Sequence, residues 1–320
     1  MAVQGFNGNL NWKVTSEQAG SRLESFVRQR LPHLSRRESI KAIAEQSFTV
    51  NGRAAKKGDR LNSGDVVNFV GSRDWLADQP KPCHSKVRIA YEDDDVLVID
   101  KPAGMATHGF SGRHNDTVAN FLVGHRPELV SVGNSRWEAG LVNRLDRETS
   151  GLVLAAKNQH AFGSLREQFR SRRIKKTYWA LVWGDAAPCG LISFDLAHDP
   201  SHRSRMQIIE GSANRCKPSK TWQAVTRFRN LAASAEMSLL EIEMETGVTH
   251  QIRVHLAALG HAIVGDVVYG RKADSLQLGR HFLHACRIEF THPASANIVV
   301  VESPLPAELR SCIDRAKISF

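Results

Sequence analysis

The chain of 320 residues has few of the residues that mark disulfide, redox or zinc chemistry. It has only five cysteines, and none of them forms a Cys-x-x-Cys pair. An odd, scattered set of thiols argues against a disulfide framework and gives no support for a zinc site. It is typical of the reduced thiols of a cytoplasmic protein. The cysteines are Cys83, Cys189, Cys216, Cys286 and Cys312.

Signals for membranes and nucleotides are missing as well. No apolar stretch approaches the ~20 residues needed to cross a bilayer, so we expect no association with a membrane. The chain has neither a Gly-x-Gly-x-x-Gly run nor a Gly-x-x-x-x-Gly-Lys-Ser/Thr run. Strand-like and helix-like segments also follow one another without regular β-α-β alternation. A doubly wound nucleotide-binding fold is therefore disfavoured.

Acidic residues are in short supply relative to basic ones. The chain has 43 Lys and Arg against 33 Asp and Glu, a net charge of +10. Such an excess points to a polyanionic partner, with RNA and DNA as the first candidates, although a basic protein need not bind an anion. Hydrophobic residues make up 42% of the chain, enough for a packed core. Its length allows two domains.

We predict a small domain at residues 15–72, after an N-terminal extension at residues 1–14. Its second helix should begin at Ser35, because Glu38 three residues later completes a capping box. Short strand-like runs and an Asn-Gly turn follow. Residues 73–87 contain prolines and polar residues, and they are predicted to form a linker.

The rest of the chain, residues 88–320, is predicted to be a second and larger domain. Its most informative stretch is residues 141–157, which place Asp146 between Arg144 and Arg147 in a polar turn before an apolar strand. Nearby positive charge favours the ionised form of a carboxylate. A carboxylate in that state can act as a nucleophile or a base without a cofactor.

Two further motifs in this domain carry candidate residues. The strand-like residues 175–184 contain Tyr178, one of only three tyrosines. A later helix is predicted to begin at Thr249 as its N-cap and to hold Arg253 beside its apolar stripe, free to reach a carboxylate. The spacing of His250 and His255 does not fit a helical metal motif, and we expect no metal. The predicted apolar stripe consists of Ile252, Leu256 and Leu259.

Together with residues 280–293, these motifs resemble, in order, those of the RluA-type pseudouridine synthases. The resemblance implies an α+β fold with a mixed, mostly antiparallel central sheet and flanking helices. It also implies cofactor-free isomerisation of uridine in RNA. Asp146 would break the glycosidic bond, either by attacking the sugar or by helping to remove its 2′ proton. Tyr178 would support the base or move a proton, and Arg253 would pair with Asp146.

The small domain resembles the RNA-binding domain named after ribosomal small-subunit protein four. That resemblance assigns RNA contacts to Arg36, Arg37, Lys41 and Arg53. In the larger domain, Arg144 matches a residue that enters the base stack when the target is extruded. A basic run next to Tyr178 is where substrate phosphates are expected, although it could also be a solvated helix face. The predicted contacts in this run are Arg172, Arg173, Lys175 and Lys176.

The implied substrate is large-subunit ribosomal RNA, and transfer RNA is the alternative. The chain departs from the family pattern in having Asn143 for His and Val248 for Arg. These departures leave open a non-catalytic RNA-binding or ribosome-assembly protein of the same fold. A glycoside hydrolase using Asp146 with Glu148 is a third possibility, disfavoured by the basic charge. We expect a cytoplasmic monomer whose partner is RNA.

Overall fold

The computed structural model describes residues 10–85, 87–109, 114–202, 204–209, 220–270 and 276–319. The chain divides into two compact units. The first consists of Met1–His84, His108–Val130 and Ser135–Trp137, and the second of Ser85–Thr107, Ser131–Asn134 and Glu138–Phe320. No helix in the described ranges is long and apolar enough to span a membrane.

The first unit has a four-stranded antiparallel sheet in the order β1-β4-β2-β3. Its strands are β1 (Asn11–Lys13), β2 (Phe48–Val50), β3 (Arg53–Ala54) and β4 (Val66–Phe69). Its helices are α1 (Leu23–Arg30), α2 (Arg36–Ala44) and α3 (Val118–His125).

Local sequence signals set the main turns of this unit. The Ser35 hydroxyl accepts the Glu38 amide at 3.2 Å, and the Glu38 carboxylate accepts the Ser35 amide at 2.9 Å. The predicted capping box is therefore confirmed. Asn51 and Gly52 adopt φ angles of 50° and 79°, which the tight turn between β2 and β3 requires. The core between helices and sheet includes Leu23, Phe26, Ile43, Phe48 and Leu61.

The second unit has a ten-stranded sheet in the order β10-β9-β11-β12-β8-β13-β7-β6-β5, with β14 pairing against β13. Only β13 and β7 pair in parallel among these described strands. The strands are β5 (Arg88–Glu92), β6 (Val96–Lys101), β7 (Ser150–Ala156), β8 (Lys175–Trp183), β9 (Cys189–His198), β10 (Met206–Ile209), β11 (Trp222–Ala233), β12 (Met237–Met244), β13 (Leu283–Thr291) and β14 (Ile298–Glu302). The helices are α4 (Gln159–Arg170), α5 (Gln251–Ala258) and α6 (Ala307–Arg315). The predicted mixed, mostly antiparallel α+β fold is confirmed.

Strand β7 positions the turn that precedes it. All seven of its residues are buried, as expected for a central strand. Gly151 has a φ of 111°, and a Cβ there would lie 2.3 Å from the Ala285 carbonyl oxygen. Only glycine lets β7 approach β13 this closely, and the turn containing Asp146 is fixed at the start of this strand.

The prediction for the start of α5 was wrong. The cap is His250 rather than Thr249, and its backbone is left-handed with φ 56° and ψ 14°. The side chain of Gln251 accepts the Thr246 hydroxyl at 2.8 Å and so ties the first helical residue to the preceding turn. Leu259 was also placed wrongly on the buried stripe. It is 42% exposed, because it follows the last helical residue and leaves the helix face.

Candidate active site

The turn carrying Asp146 is held by hydrogen bonds to the backbone on both sides of the carboxylate. The Thr107 hydroxyl donates to the Leu145 carbonyl at 2.9 Å and accepts the Leu145 amide at 3.1 Å. The buried Lys101 amine donates to the Arg147 carbonyl at 3.0 Å and to two other carbonyls nearby. Burial lowers the pKa of Lys101 to about 7. The segment after β6 therefore fixes the position from which the Asp146 side chain projects.

The direct partner of Asp146 is Arg253 on α5. Its Nη1 donates to Oδ2 of Asp146 at 3.1 Å, as the family resemblance implied. The arginines next to Asp146 in the sequence do not pair with this carboxylate. Arg147 instead donates through Nε to the Gly104 carbonyl at 2.7 Å, and Arg144 forms no ion pair with Asp146. The Asp146 side chain is 22% exposed, so its other oxygen can be reached by a substrate.

A second carboxylate, missed in the sequence, orients Arg253. Asp266 accepts from Nε at 2.7 Å and from Nη2 at 2.9 Å, so Arg253 makes its two-pronged bond with this carboxylate. Burial alone would raise the pKa of Asp266, but the hydrogen bonds and charge of Arg253, together with the backbone amides of Val268 and Tyr269, hold that pKa below its ordinary value. The only sequence signal was one acidic residue inside an apolar run.

Tyr178 enters the same site from β8. Its side chain is almost fully buried. None of the described residues hydrogen-bonds its hydroxyl, which remains available to a substrate. Burial, and then the negative charge of Asp146, raise the pKa of Tyr178. The side chain is therefore a neutral phenol at physiological pH and can donate a proton or a hydrogen bond.

Asp146, Tyr178 and Arg253 line one cavity of about 1040 Å³. That volume exceeds the space a single nucleotide requires, so flanking residues of a polymer can also enter. Burial lowers the pKa of one lining lysine, Lys176, to about 8. The wall is strongly basic, as expected for a site that holds phosphates. Its basic residues are Arg144, Arg166, Arg170, Arg172 and Lys176.

The remaining predicted RNA contacts lie elsewhere. Lys175 pairs with Glu289 at 2.8 Å and does not line the cavity. Arg173 is exposed and donates to the Ser171 hydroxyl at 3.0 Å. The other predicted contacts are exposed on the first unit, namely Arg36, Arg37, Lys41 and Arg53.

The two departures from the expected pattern have structural explanations. The Asn143 side chain accepts the Leu154 amide of β7 at 2.8 Å, so it supports the strand that follows the turn. Val248 packs against an apolar cluster that includes Leu196 and Met206. Both residues line the cavity that contains Asp146, and neither hydrogen-bonds its carboxylate.

The two histidines near α5 have separate surroundings. Nδ1 of His255 is 3.0 Å from the Thr226 hydroxyl in the interior. Nε2 of His250 is 3.8 Å from Oδ2 of Asp146. Across the part of the chain that the structure describes, no three His, Cys, Asp or Glu residues are grouped so that they could hold a metal ion.

Comparison with known proteins gives consistent matches along the chain. Residues 95–258 match the family described as RNA pseudouridylate synthase, and residues 21–67 match the S4 domain. The chain is 34% identical over 307 residues to the ribosomal large subunit pseudouridine synthase D of Nitrosomonas europaea, covering 94% of this chain and 86% of the relative. It is 33% identical to the ribosomal large subunit pseudouridine synthase C of Vibrio cholerae, covering 95% and 96%. Among solved structures, human RNA pseudouridylate synthase domain containing 1 is similar with a TM-score of 0.57 and 28% identity, over 73% of this chain and 90% of that chain.

Proposed function

Because the chain belongs to the RNA pseudouridylate synthase family and carries an S4 domain, we propose that it isomerises uridine to pseudouridine in large-subunit ribosomal RNA. The relatives named above are ribosomal large subunit enzymes, and they match this chain over nearly its whole length. Transfer RNA is the alternative substrate, and the test below includes it.

The observation that carries the proposal is the contact between Asp146 and Arg253 inside a large basic cavity. The two side chains meet at 3.1 Å, and Tyr178 lines the same cavity. A guanidinium that holds one oxygen of a carboxylate fixes the direction of that group, while the other oxygen stays open to a sugar. The arrangement therefore supports Asp146 as the catalytic carboxylate.

The reaction needs no change of oxidation state. The bond between N1 of uracil and C1′ of ribose breaks, a bond between C5 and C1′ forms, and the proton on C5 is lost while N1 gains one. Asp146 can act as a nucleophile at C1′ or as the base that takes the 2′ proton, and both routes remain open. Arg253 stabilises the carboxylate whenever it carries its charge.

Tyr178 supports the base in this proposal and does not act as a general base. Because its pKa is raised, the phenol stays protonated and does not act as a general base near neutral pH. Its ring and its hydroxyl can instead support the uracil while the base rotates within the site.

Binding of the polymer would use charge on both units. Arg144 is exposed at the cavity, where its guanidinium can stack in the space left by the extruded base and offset part of the cost of flipping. Arg172 and Lys176 would contact flanking phosphates. We propose that residues 15–72 form the RNA-binding domain and residues 88–320 the catalytic domain of a monomer.

Modification of ribosomal RNA from cells that lack this activity tests the proposal. After incubation with the purified protein, pseudouridine is mapped by reverse-transcription stops that depend on carbodiimide treatment. New stops are expected in large-subunit RNA with the wild type and none with Asp146→Asn, because the amide cannot act as a nucleophile or base. Binding of the RNA should persist in the variant, since the basic residues are unchanged.

Asp94→Asn is the matched control, because Asp94 is an exposed carboxylate in the turn between β5 and β6. This control should modify RNA like the wild type. Stops that persist with Asp146→Asn would remove the catalytic assignment. Stops that appear only in transfer RNA would replace the substrate. RNA binding without stops in either RNA would favour a non-catalytic binding protein.

A further inference from the structure

His250 occupies a strained position beside the reactive carboxylate. It is the N-cap of α5 and has a left-handed backbone, which residues with a Cβ rarely adopt. That backbone places the imidazole between two groups. Nδ1 lies 2.8 Å from the Tyr269 hydroxyl, and Nε2 lies 3.8 Å from Oδ2 of Asp146.

The hydrogen bonds around Tyr269 favour one tautomer of His250. The Tyr269 oxygen accepts the Met206 amide at 2.7 Å, which leaves the hydroxyl hydrogen available to Nδ1 of His250 at 2.8 Å. A neutral imidazole that accepts at Nδ1 carries its hydrogen on Nε2, the nitrogen that faces Asp146. Burial lowers the pKa of His250 by more than the negative charge of Asp146 raises it, and Arg253 acts in the same direction as burial, so the neutral form prevails.

Tyr269 is itself fixed by the groups that orient Arg253. Its ring centroid lies 5.2 Å from the Arg253 guanidinium carbon, a cation–π contact. Its backbone amide donates to Oδ1 of Asp266 at 3.1 Å. Asp266 therefore positions Arg253 directly and His250 through Tyr269. Nη1 of Arg253 and Nε2 of His250 both face Oδ2 of Asp146.

We propose that His250, oriented by the Tyr269 hydroxyl, is a positioning residue that directs an N–H at Oδ2 of Asp146 and so reserves Oδ1 for the substrate sugar. The proposal rests on the proposed function. A hydrogen bond needs a separation of about 2.9 Å. The carboxyl must therefore turn towards Nε2 when the substrate occupies the cavity, as catalytic contacts commonly shorten on binding.

Three variants separate this role from a merely structural one. His250→Asn keeps a residue type that tolerates the left-handed backbone but is too short to reach Asp146. His250→Gln places an N–H close to where Nε2 lies. Tyr269→Phe removes only the hydroxyl and retains the ring over Arg253. All three are compared with the wild type for kcat and KM on a fragment of large-subunit RNA that contains the modified site.

His250→Asn and Tyr269→Phe should each lower kcat about tenfold or more, the effect of one lost hydrogen bond to a charged group. KM should change less than about twofold, because the RNA contacts remain. His250→Gln should recover most of the lost kcat. The imidazole ¹⁵N resonances should show hydrogen on Nε2 of His250 in the wild type and a mixture of tautomers in Tyr269→Phe.

The outcomes distinguish this inference from the proposed function. A wild-type protein that modifies no RNA would overturn the function itself. With an active wild type, an unchanged kcat in Tyr269→Phe would overturn the positioning role, and so would hydrogen on Nδ1 of His250 in the wild type. If His250→Asn does not fold, Tyr269→Phe and the resonances still decide the question.

Discussion

Replacing Asp266 by Asn should both destabilise the protein and misdirect its catalytic arginine. The side chains of Asp266 and Arg253 are only 1% and 7% exposed, and they share two hydrogen bonds. Removing one partner of a buried pair costs about 3–5 kcal/mol. Since the amide keeps part of the hydrogen bonding, we expect a loss of about 3 kcal/mol, or roughly 6–12 °C in Tm. Asp146 would become the remaining carboxylate partner of Arg253, and a rotated guanidinium should lower kcat about tenfold or more.

Urea denaturation and thermal denaturation measure the loss of stability. Steady-state kinetics of RNA modification measure the fall in kcat. The pKa of Asp266 is lowered in the folded protein, so its stabilisation is fully present above the unfolded value of about 3.9 and is lost as pH falls through the folded pKa. The difference between wild type and variant should therefore be constant from pH 7 to 5 and shrink only below about pH 4. Asp94→Asn controls for loss of one negative charge. A loss of unfolding free energy below about 1 kcal/mol would refute the reasoning, because surface substitutions have effects of that size.

Two further perturbations test the turn and the cavity wall. The pKa of Lys101 is lowered to about 7 in the folded protein. Between pH 7 and 10 the unfolded chain therefore binds more protons than the folded one, and the free energy of unfolding increases as pH rises. Lys101→Met should remove that gain, and calorimetric Tm values across the interval check it; an equal slope in both proteins would contradict it. Arg172→Ala should reduce by about 0.7 the slope of the logarithm of the RNA binding constant against the logarithm of the salt concentration. Lys175→Ala should change this slope little, because Lys175 is already paired with a carboxylate. Equal slopes for the two variants, measured by titration at several salt concentrations, would show that the cavity wall does not contact phosphates.

Features set by neighbouring residues could be read from the sequence. The capping box at Ser35 and the turn at Asn51 depend on side chains within three or four positions, and both occur as predicted. The strand holding Tyr178 was expected from the match of residues 175–184 to a family motif. The contact between Arg253 and Asp146, which are 107 residues apart, followed from the resemblance to a family and from no local rule.

Features set by packing across the fold could not be read in this way. Thr249 is a good helix cap by composition, yet the cap is His250, whose ring nitrogen lies 2.8 Å from the hydroxyl of Tyr269, 19 residues further along the chain. Asp266 stood out only as an acidic residue inside an apolar run, and this did not identify it as the two-pronged partner of Arg253. Both errors concern residues whose conformations are determined by partners distant in sequence. Sites of function are where local preference is expected to fail.

The departures at positions 143 and 248 bear on whether the chain could be a binding protein that has lost its chemistry. Arg253 is buried between two carboxylates. Such an arrangement contributes little net stability compared with apolar residues, so stability alone does not explain its presence in a protein without catalytic activity. Apolar residues of similar volume would pack there at no greater cost. The departures instead leave this arrangement intact, because Asn143 binds the β7 backbone and Val248 packs in an apolar cluster. Both changes therefore leave the bond between Asp146 and Arg253 in place, and this favours an enzyme over a binding protein that has lost its reaction.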